Sequence, residues 1–396
     1  MRRGAAQHAG MSAPSPFRLF VNPHAGTPGV VVLPDGGFRR ARAEISSWPG
    51  YAPTKLRDLP TVADALGLAA VRIKDESSRF GLGSFKALGG AYAVARLLMA
   101  ELARSGVAAQ ANSAELLAGR YAEATRGITV TCATDGNHGR AVAWGAQRFG
   151  CACVIFVHAT VSQGRVDAIA KYGAEVRRVP GTYDDAVRAA SAVAGAQGWF
   201  VVSDTSWPGY TSVPVDVMQG YRVMADEAMD QWQGAAPSHV FIQGGVGGVA
   251  AAVSVQLRAR VAPAPALIVV EPDQAACLLA SAECGEPIAI PGNLDTLMAG
   301  LACGEPSLLA WQELGRAAAA FMAVPDAAAV EAMRLLARLG IVAGESGVAG
   351  LAGLRLAALD PPAREALGLN GESRVLLFST EGATDPELYR QLVGDA

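Results

Sequence analysis

Short apolar runs rich in β-branched residues recur along the chain, and each ends in turn-forming residues: ITVTCA (128–133), CVIFVH (153–158), EVRRV (175–179), HVFIQ (239–243), LIVVE (267–271) and RVLLFS (374–379). Between them lie Ala-rich stretches of helical length, among them GRAVAWGAQRFG, YDDAVRAASAVAGA, VAAAVSVQLRARVA and AAAVEAMRLLARLG. Strands that are apolar on both faces, with helices between them, predict parallel sheets covered on both sides. The fold class is therefore α/β, with two open, mostly parallel twisted sheets and flanking helices. The stretch 272–305 has Pro, Gly and Cys but little periodicity and reads as a loop-rich insertion or a partner contact. Open sheets of this kind bind ligands outside the carboxyl ends of their strands, so the turns after the strands hold the candidate chemistry.

The 396 residues are enough for two domains. The expected division is discontinuous: a lead-in over 1–15, a large domain from 16–91 plus 209–396, and a small α/β domain over 92–208. A net charge of −3 argues against a nucleic-acid surface. No uninterrupted apolar run reaches the roughly 18–20 residues of a membrane span. The two arginines near the N-terminus have no apolar stretch behind them, as a secretory signal would require. A cytoplasmic location is expected. The six cysteines show no CxxC and no Cys/His metal spacing, so no metal site is expected; a Cys277–Cys303 contact is conceivable.

Four lysines stand against 29 arginines. A lysine amine can lose its proton and act as a nucleophile, which a guanidinium does not do. One of the four, Lys86, follows the glycines of GLGSFK and precedes a helical pattern for which Ser84 is a plausible N-cap. A place in the first helical turn, and burial beside Phe85, would both favour the neutral amine; the other reading is a solvated surface lysine. A second turn, CATDGNHG, packs Asp135, Asn137 and His138 at the end of a strand. It can be a tight βα turn, with His138 as a stabilising donor, or a site for a carboxylate at a helix start. A third, QGGVGG (243–248), lets the backbone approach a phosphate at a helix N-terminus. Gly245, Gly247 and Ala250 with Glu271 also satisfy a dinucleotide fingerprint, so an NAD oxidoreductase stands as a rival.

Taken together and in order, these turns resemble the fold-type II pyridoxal-phosphate enzymes of the tryptophan synthase β / threonine dehydratase superfamily, and within it the diaminopropionate ammonia-lyases. The blocks carrying the resemblance include LGSFKALGGAYAV, TCATDGNHGRAVAWGAQRFG, VSDTSWPGYTSVPVDVMQGY, FIQGGVGGVAAAV, GESGVAGLAGL and FSTEGATDPELY. The match begins near residue 50 and runs to the C-terminus. It implies pyridoxal 5'-phosphate in the cleft between the domains, bound to Lys86 as a Schiff base. Gly244, Gly245, Val246, Gly247 and Gly248 would hold the phosphate, and Asn137 the phenolic oxygen. Thr380, with Ser379, would face the pyridine nitrogen, and Phe85 would contact the cofactor.

The implied reaction is β-elimination of D- and L-2,3-diaminopropionate to pyruvate and two ammonia, with Asp135 and Asp204 as acid/base groups. A homodimer with a small amino-acid substrate is expected. On residues alone, Asp135 and Asp204 could equally brace their turns, and Glu345 could lie near the cofactor ring or partner a helix dipole. Tyr183 and Trp207 are candidate pocket residues. The main alternative is a serine/threonine dehydratase of the same fold; an inactive cofactor-binding regulator is the non-enzymatic one.

Overall fold

The computed structural model describes residues 17–394 apart from Pro28, Asp135 and Thr182. The expected lead-in and the Asp135 assignment therefore lie outside the described residues. Among the described residues, eleven strands form two sheets. In chain order they are β1 (Arg18–Val21), β2 (Lys55–Asp58), β3 (Ala70–Asp75), β4 (Thr129–Ala133), β5 (Ala152–His158), β6 (Glu175–Val179), β7 (Phe200–Val201), β8 (His239–Gln243), β9 (Ala266–Pro272), β10 (Ala320–Val324) and β11 (Arg374–Ser379). The seven-stranded sheet has the order β1-β10-β9-β8-β11-β3-β2 and the four-stranded sheet β6-β5-β4-β7. Every pairing is parallel except at the two edges of the large sheet, where β1 and β2 run antiparallel.

The uninterrupted apolar strands have a direct cause. In β8, Val240 and Ile242 enter one hydrophobic cluster while Phe241 enters the other; in β9, Val269 alternates in the same way with Ile268 and Val270. Both faces of the large sheet are covered by helices, so neither side chain of an alternating pair meets water. All strands of the small sheet lie between residues 129 and 201, and all those of the large sheet lie outside that span. The expected boundary at 91/92 falls inside one continuous helix, Ala87–Arg104. Among the described residues no helix is long and apolar enough to cross a membrane.

That helix joins the two halves, and its Gly89-Gly90 pair explains how. Mid-helix glycine costs about 1 kcal/mol relative to alanine, so close packing must offset it. A Cβ on Gly89 would lie 2.4 Å from the Tyr221 ring, and one on Gly90 would lie 3.0 Å from Ala141. The first neighbour belongs to the helix Ser212–Gln231, the second to the helix Asn137–Phe149. The closest approach is at Gly220, where a Cβ would sit 1.8 Å from the Leu88 carbonyl oxygen. A backbone atom cannot rotate aside. Gly220→Ala is therefore expected to force the two helices apart and destabilise the fold by about 3 kcal/mol. A melting temperature within a degree of the parent's would contradict this packing.

The sequence misleads at three points in the fold. The stretch 272–305, expected to be loop, contains the helix Cys277–Cys284. It is short, and its first turn buries Cys277, Leu278 and Leu279 consecutively, so no amphipathic period shows. The Ala-rich run before residue 325 hides β10. Ser84 does not cap the Lys86 helix: Lys86 itself takes the N-cap position, without a side-chain cap. Ser84 is drawn into an extended bridge with Glu381, flanked by Phe85 N–H to Thr380 O at 3.0 Å and Gly382 N–H to Gly83 O at 2.9 Å.

Candidate active site

One pocket collects the carboxyl ends of β4, β7, β8 and β11 together with the start of the Ala87–Arg104 helix. Lys86 lies in it. The amine donates to Asp204 Oδ2 at 2.6 Å. Burial alone would favour the free amine, but the Asp204 carboxylate outweighs it and holds the Lys86 pKa above its ordinary value. Asp204 shows the reverse balance: burial opposes its charge, and the Lys86 ammonium nonetheless takes the carboxyl well below the usual range. The expectation of a neutral amine is thus corrected: a carboxylate 118 residues away pairs with it, and nothing local to Lys86 signals that pairing. The turn around Asp204 is held by Thr205 N–H to Ser203 Oγ at 3.2 Å and by Tyr210, which accepts from Ser203 N–H at 3.0 Å.

The lysine count now resolves. Lys55 and Lys171 are exposed. Lys74 is fully buried and structural: its amine sits 2.8 Å from Glu227 Oε2 and donates to Thr54 O at 2.7 Å. Of the four lysines, Lys86 is the one that lines the pocket.

After β4 the chain turns at Gly136 into the helix Asn137–Phe149, two residues earlier than the sequence pattern suggests. Asn137 and His138 consequently occupy its first turn and reach the pocket. The Asn137 amide is oriented from both sides: Arg140 donates to Oδ1 at 2.6 Å and Nδ2 donates to Glu381. Arg is donor-only, so Oδ1 must be the acceptor and Nδ2 the donor. Glu381 is buried and also accepts the Ser346 N–H at 3.0 Å. His138 Nε2 lies 2.8 Å from Val202 O.

The glycine loop after β8 adopts the backbone that a phosphate cradle requires. Gly245 and Gly247 have φ of +60° and +95°, and Gly247 is the N-cap of the helix Gly248–Arg260. Side chains are also excluded by space, since a Cβ on Gly244 would lie 2.6 Å from Glu271. Gly244 N–H is committed to Val270 O at 2.9 Å and Gly247 N–H to Gly244 O at 3.1 Å. Gly247 is not among the lining residues and shapes the turn instead. Glu271 is fully buried and accepts the Leu278 and Leu279 N–H groups at 2.9 and 2.8 Å. Burial pushes its pKa up to about 8. It caps a helix and cannot reach a ribose, so the dinucleotide reading loses its acid.

At the end of β11, Thr380 Oγ accepts from Gln243 Nε2 at 2.9 Å. The same Nε2 contacts the Gly347 and Phe378 carbonyls, each at 2.8 Å, so it is the donor. Thr380 lines the pocket, and its hydroxyl hydrogen takes no part in that bond. Ser379 is fully buried, donates to Glu381 O at 3.4 Å and does not line the pocket. Glu345 is also off the wall: it pairs with Arg165 at 2.8 Å, and burial beside Glu381 raises its pKa to about 7. Phe85, Gly244, Gly245, Val246, Gly248 and Tyr183 all line the pocket. Trp207 stacks on Tyr210 at 4.2 Å outside it. Cys277 and Cys303 are thiols, and Cys303 lines the pocket near the glycine loop.

The sequence reading did not single out several pocket residues, among them Arg165, Tyr221, Ser346 and Glu381. Glu381 adjoins Thr380 in FSTEG and was within reach of that motif. Tyr221 is placed only by the glycine-mediated helix crossing, which leaves its ring 4.6 Å from Phe85.

Set against known proteins, residues 47–381 match the family described as pyridoxal-phosphate dependent enzyme. The chain is 42% identical over 355 residues to the diaminopropionate ammonia-lyase of Escherichia coli strain K12, covering 87% of this chain and 88% of that one. It is 38% identical over 364 residues to the diaminopropionate ammonia-lyase of Salmonella typhimurium, covering 87% and 89%. The crystal structure of the holo Escherichia coli diaminopropionate ammonia lyase superposes with a TM-score of 0.87 at 37% identity, covering 96% of this chain and 97% of that one. The pocket's own features fit that cofactor: an amine on its wall, a glycine cradle at a helix start, and a threonine hydroxyl. The chain belongs to the pyridoxal-phosphate-dependent enzymes and, within them, to the diaminopropionate ammonia-lyases, carbon–nitrogen lyases that use pyridoxal phosphate.

Proposed function

We propose that the chain eliminates ammonia from both D- and L-2,3-diaminopropionate, giving pyruvate and two ammonia with uptake of one water. The observation that carries this reading is the Lys86–Asp204 pair, 2.6 Å apart in a pocket that also presents the glycine cradle and Thr380. In this reading Lys86 holds pyridoxal phosphate covalently and Phe85 packs beside it. The amides of Gly245, Val246 and Gly248 hold the phosphate, aided by the helix start, while Gly244 and Gly247 shape the loop. Asn137 would hold the phenolic oxygen through Nδ2. Thr380 would face the pyridine nitrogen, with Ser379 beside it, and Glu345, held by Arg165, would support the site from outside the wall.

When bound, the cofactor supplies the electron sink that makes the Cα hydrogen acidic. The chain supplies the proton movements. Asp204 serves as acid or base on one face of the substrate. Asp135 serves on the other face. An amine leaves poorly unless protonated, so a positioned acid is needed. Two carboxylates also favour a β-ammonium over a hydroxyl. We further propose a cytoplasmic homodimer, with the domain division 16–91 plus 209–396 against 92–208.

The test is pyruvate release from purified, cofactor-loaded protein. Both diaminopropionate enantiomers are expected to exceed D- and L-serine by at least about 10²-fold in kcat/KM. Turnover of serine or threonine alone would favour the dehydratase alternative and remove the acid roles of Asp135 and Asp204.

A further inference from the structure

We propose that His138 is a positioning residue for Asp204: its unprotonated Nδ1 receives the hydrogen of the Asp204 carboxyl whenever that group is protonated during turnover. This rests on the acid–base reading of Asp204. His138 Nε2 lies 2.8 Å from the Val202 carbonyl oxygen, which can only accept, so Nε2 carries the ring hydrogen. Nδ1 is buried, has no hydrogen-bond partner, and faces Asp204 Oδ2 at 3.7 Å. Burial, with the Lys86 ammonium, outweighs the pull of Asp204 and lowers the His138 pKa, so the ring is neutral. Two lone pairs therefore face each other across a gap too long for a hydrogen bond. One proton on Oδ2 would turn that repulsion into an O–H···N bond and close the gap.

The proton comes from the substrate. Asp204 lines the pocket 2.6 Å from the amine that holds the cofactor, so Oδ2 is placed to take the Cα hydrogen. The C–H bond breaks, an O–H bond forms on Oδ2, and Nδ1 holds that hydrogen until Oδ2 delivers it to the departing β-nitrogen. No net charge settles on the imidazole. Among the described residues, the other titratable groups around Asp204 are Tyr221, Cys132 and Tyr210. Tyr210 is committed, donating to Val201 O at 2.8 Å. The backbone on either side of His138 is tied down by Thr134, whose Oγ accepts both the Gly136 and the Gly139 N–H at 3.0 Å.

Two substitutions separate this role from bracing. In H138Q the side-chain amide can still donate to Val202 O but presents nothing at the Nδ1 position; H138N does the opposite. On cofactor-loaded enzyme, H138Q is expected to keep its KM and its covalent cofactor and to lose about tenfold in kcat, the worth of roughly one hydrogen bond. The loss should fall on whichever enantiomer D204N impairs more. H138Q should add nothing in the D204N background, and H138N should retain more kcat than H138Q. An equal further loss in the D204N background, or H138N faring worse than H138Q with a raised KM, overturns the proposal and leaves His138 a structural brace. If D204N leaves kcat intact on both enantiomers, the acid–base reading itself fails, and the proposal with it.

Discussion

Lys86→Ala is expected to abolish covalent attachment of pyridoxal phosphate and to lower pyruvate release by on the order of 10⁴–10⁶-fold, the scale of nucleophile deletions. Attachment needs a primary amine that can shed a proton, and Lys86 is the one lysine that lines the pocket. Lys55, which is exposed, serves as the control, and Lys55→Ala should retain both properties. Alanine also removes the counter-charge of buried Asp204, so a loss of stability could be mistaken for a loss of chemistry. Lys86→Arg keeps a cation beside Asp204 but cannot supply a free amine at neutral pH. It should melt close to the parent and still be inactive. The readout is the mass of the chain after borohydride reduction of the loaded protein. A cofactor adduct surviving in Lys86→Ala would place the attachment point elsewhere.

The second large effect is expected from Asp204→Asn, which should keep the adduct but lower kcat by about 10²–10⁴-fold, as for loss of a positioned acid or base. If Asp135 serves the opposite face, the two enantiomers of diaminopropionate will not be affected alike. The pH behaviour has a definite sign. Asp204 is what holds the Lys86 pKa up against burial. Without the carboxylate, the main influence opposing burial is gone and the pKa falls. A larger fraction of the amine is then neutral at any given pH, so cofactor attachment should proceed at lower pH in the variant than in the parent. Attachment rates measured across pH 5–9 would show the shift. An unshifted profile would mean that the ion pair does not govern the amine, and full kcat on both enantiomers would remove Asp204 from the reaction.

Much of this protein is legible in the residues. Five of the strands, β4, β5, β8, β9 and β11, stand out as apolar runs because most of their residues are buried, and that burial leaves a mark in composition. The glycine loop is legible because positive φ at Gly245 and Gly247 favours glycine and the following helix announces itself. Lys86 stands out because arginine is otherwise the preferred cation. These are local signals, each set by the backbone or the solvent exposure of a few consecutive residues. The edge strands β1 and β2 are four residues each and carry too little pattern to register.

What the chain alone could not decide is which distant groups meet. The state of the Lys86 amine depends on Asp204, and the orientation of Asn137 depends on Arg140 and Glu381. Tyr221 reaches the pocket only because Gly220 lets its helix press against the Leu88 backbone. Glu271 looked like a ribose ligand in sequence and is a buried helix cap in space. In each case the deciding quantity is a separation of a few ångströms between residues far apart in the chain, or a burial that sets the electrostatic balance at one atom. Local pattern determines which elements form and where glycine must stand. Only the packing of helices across the two sheets determines which charges face one another, because Coulomb and hydrogen-bond energies depend on distance in space.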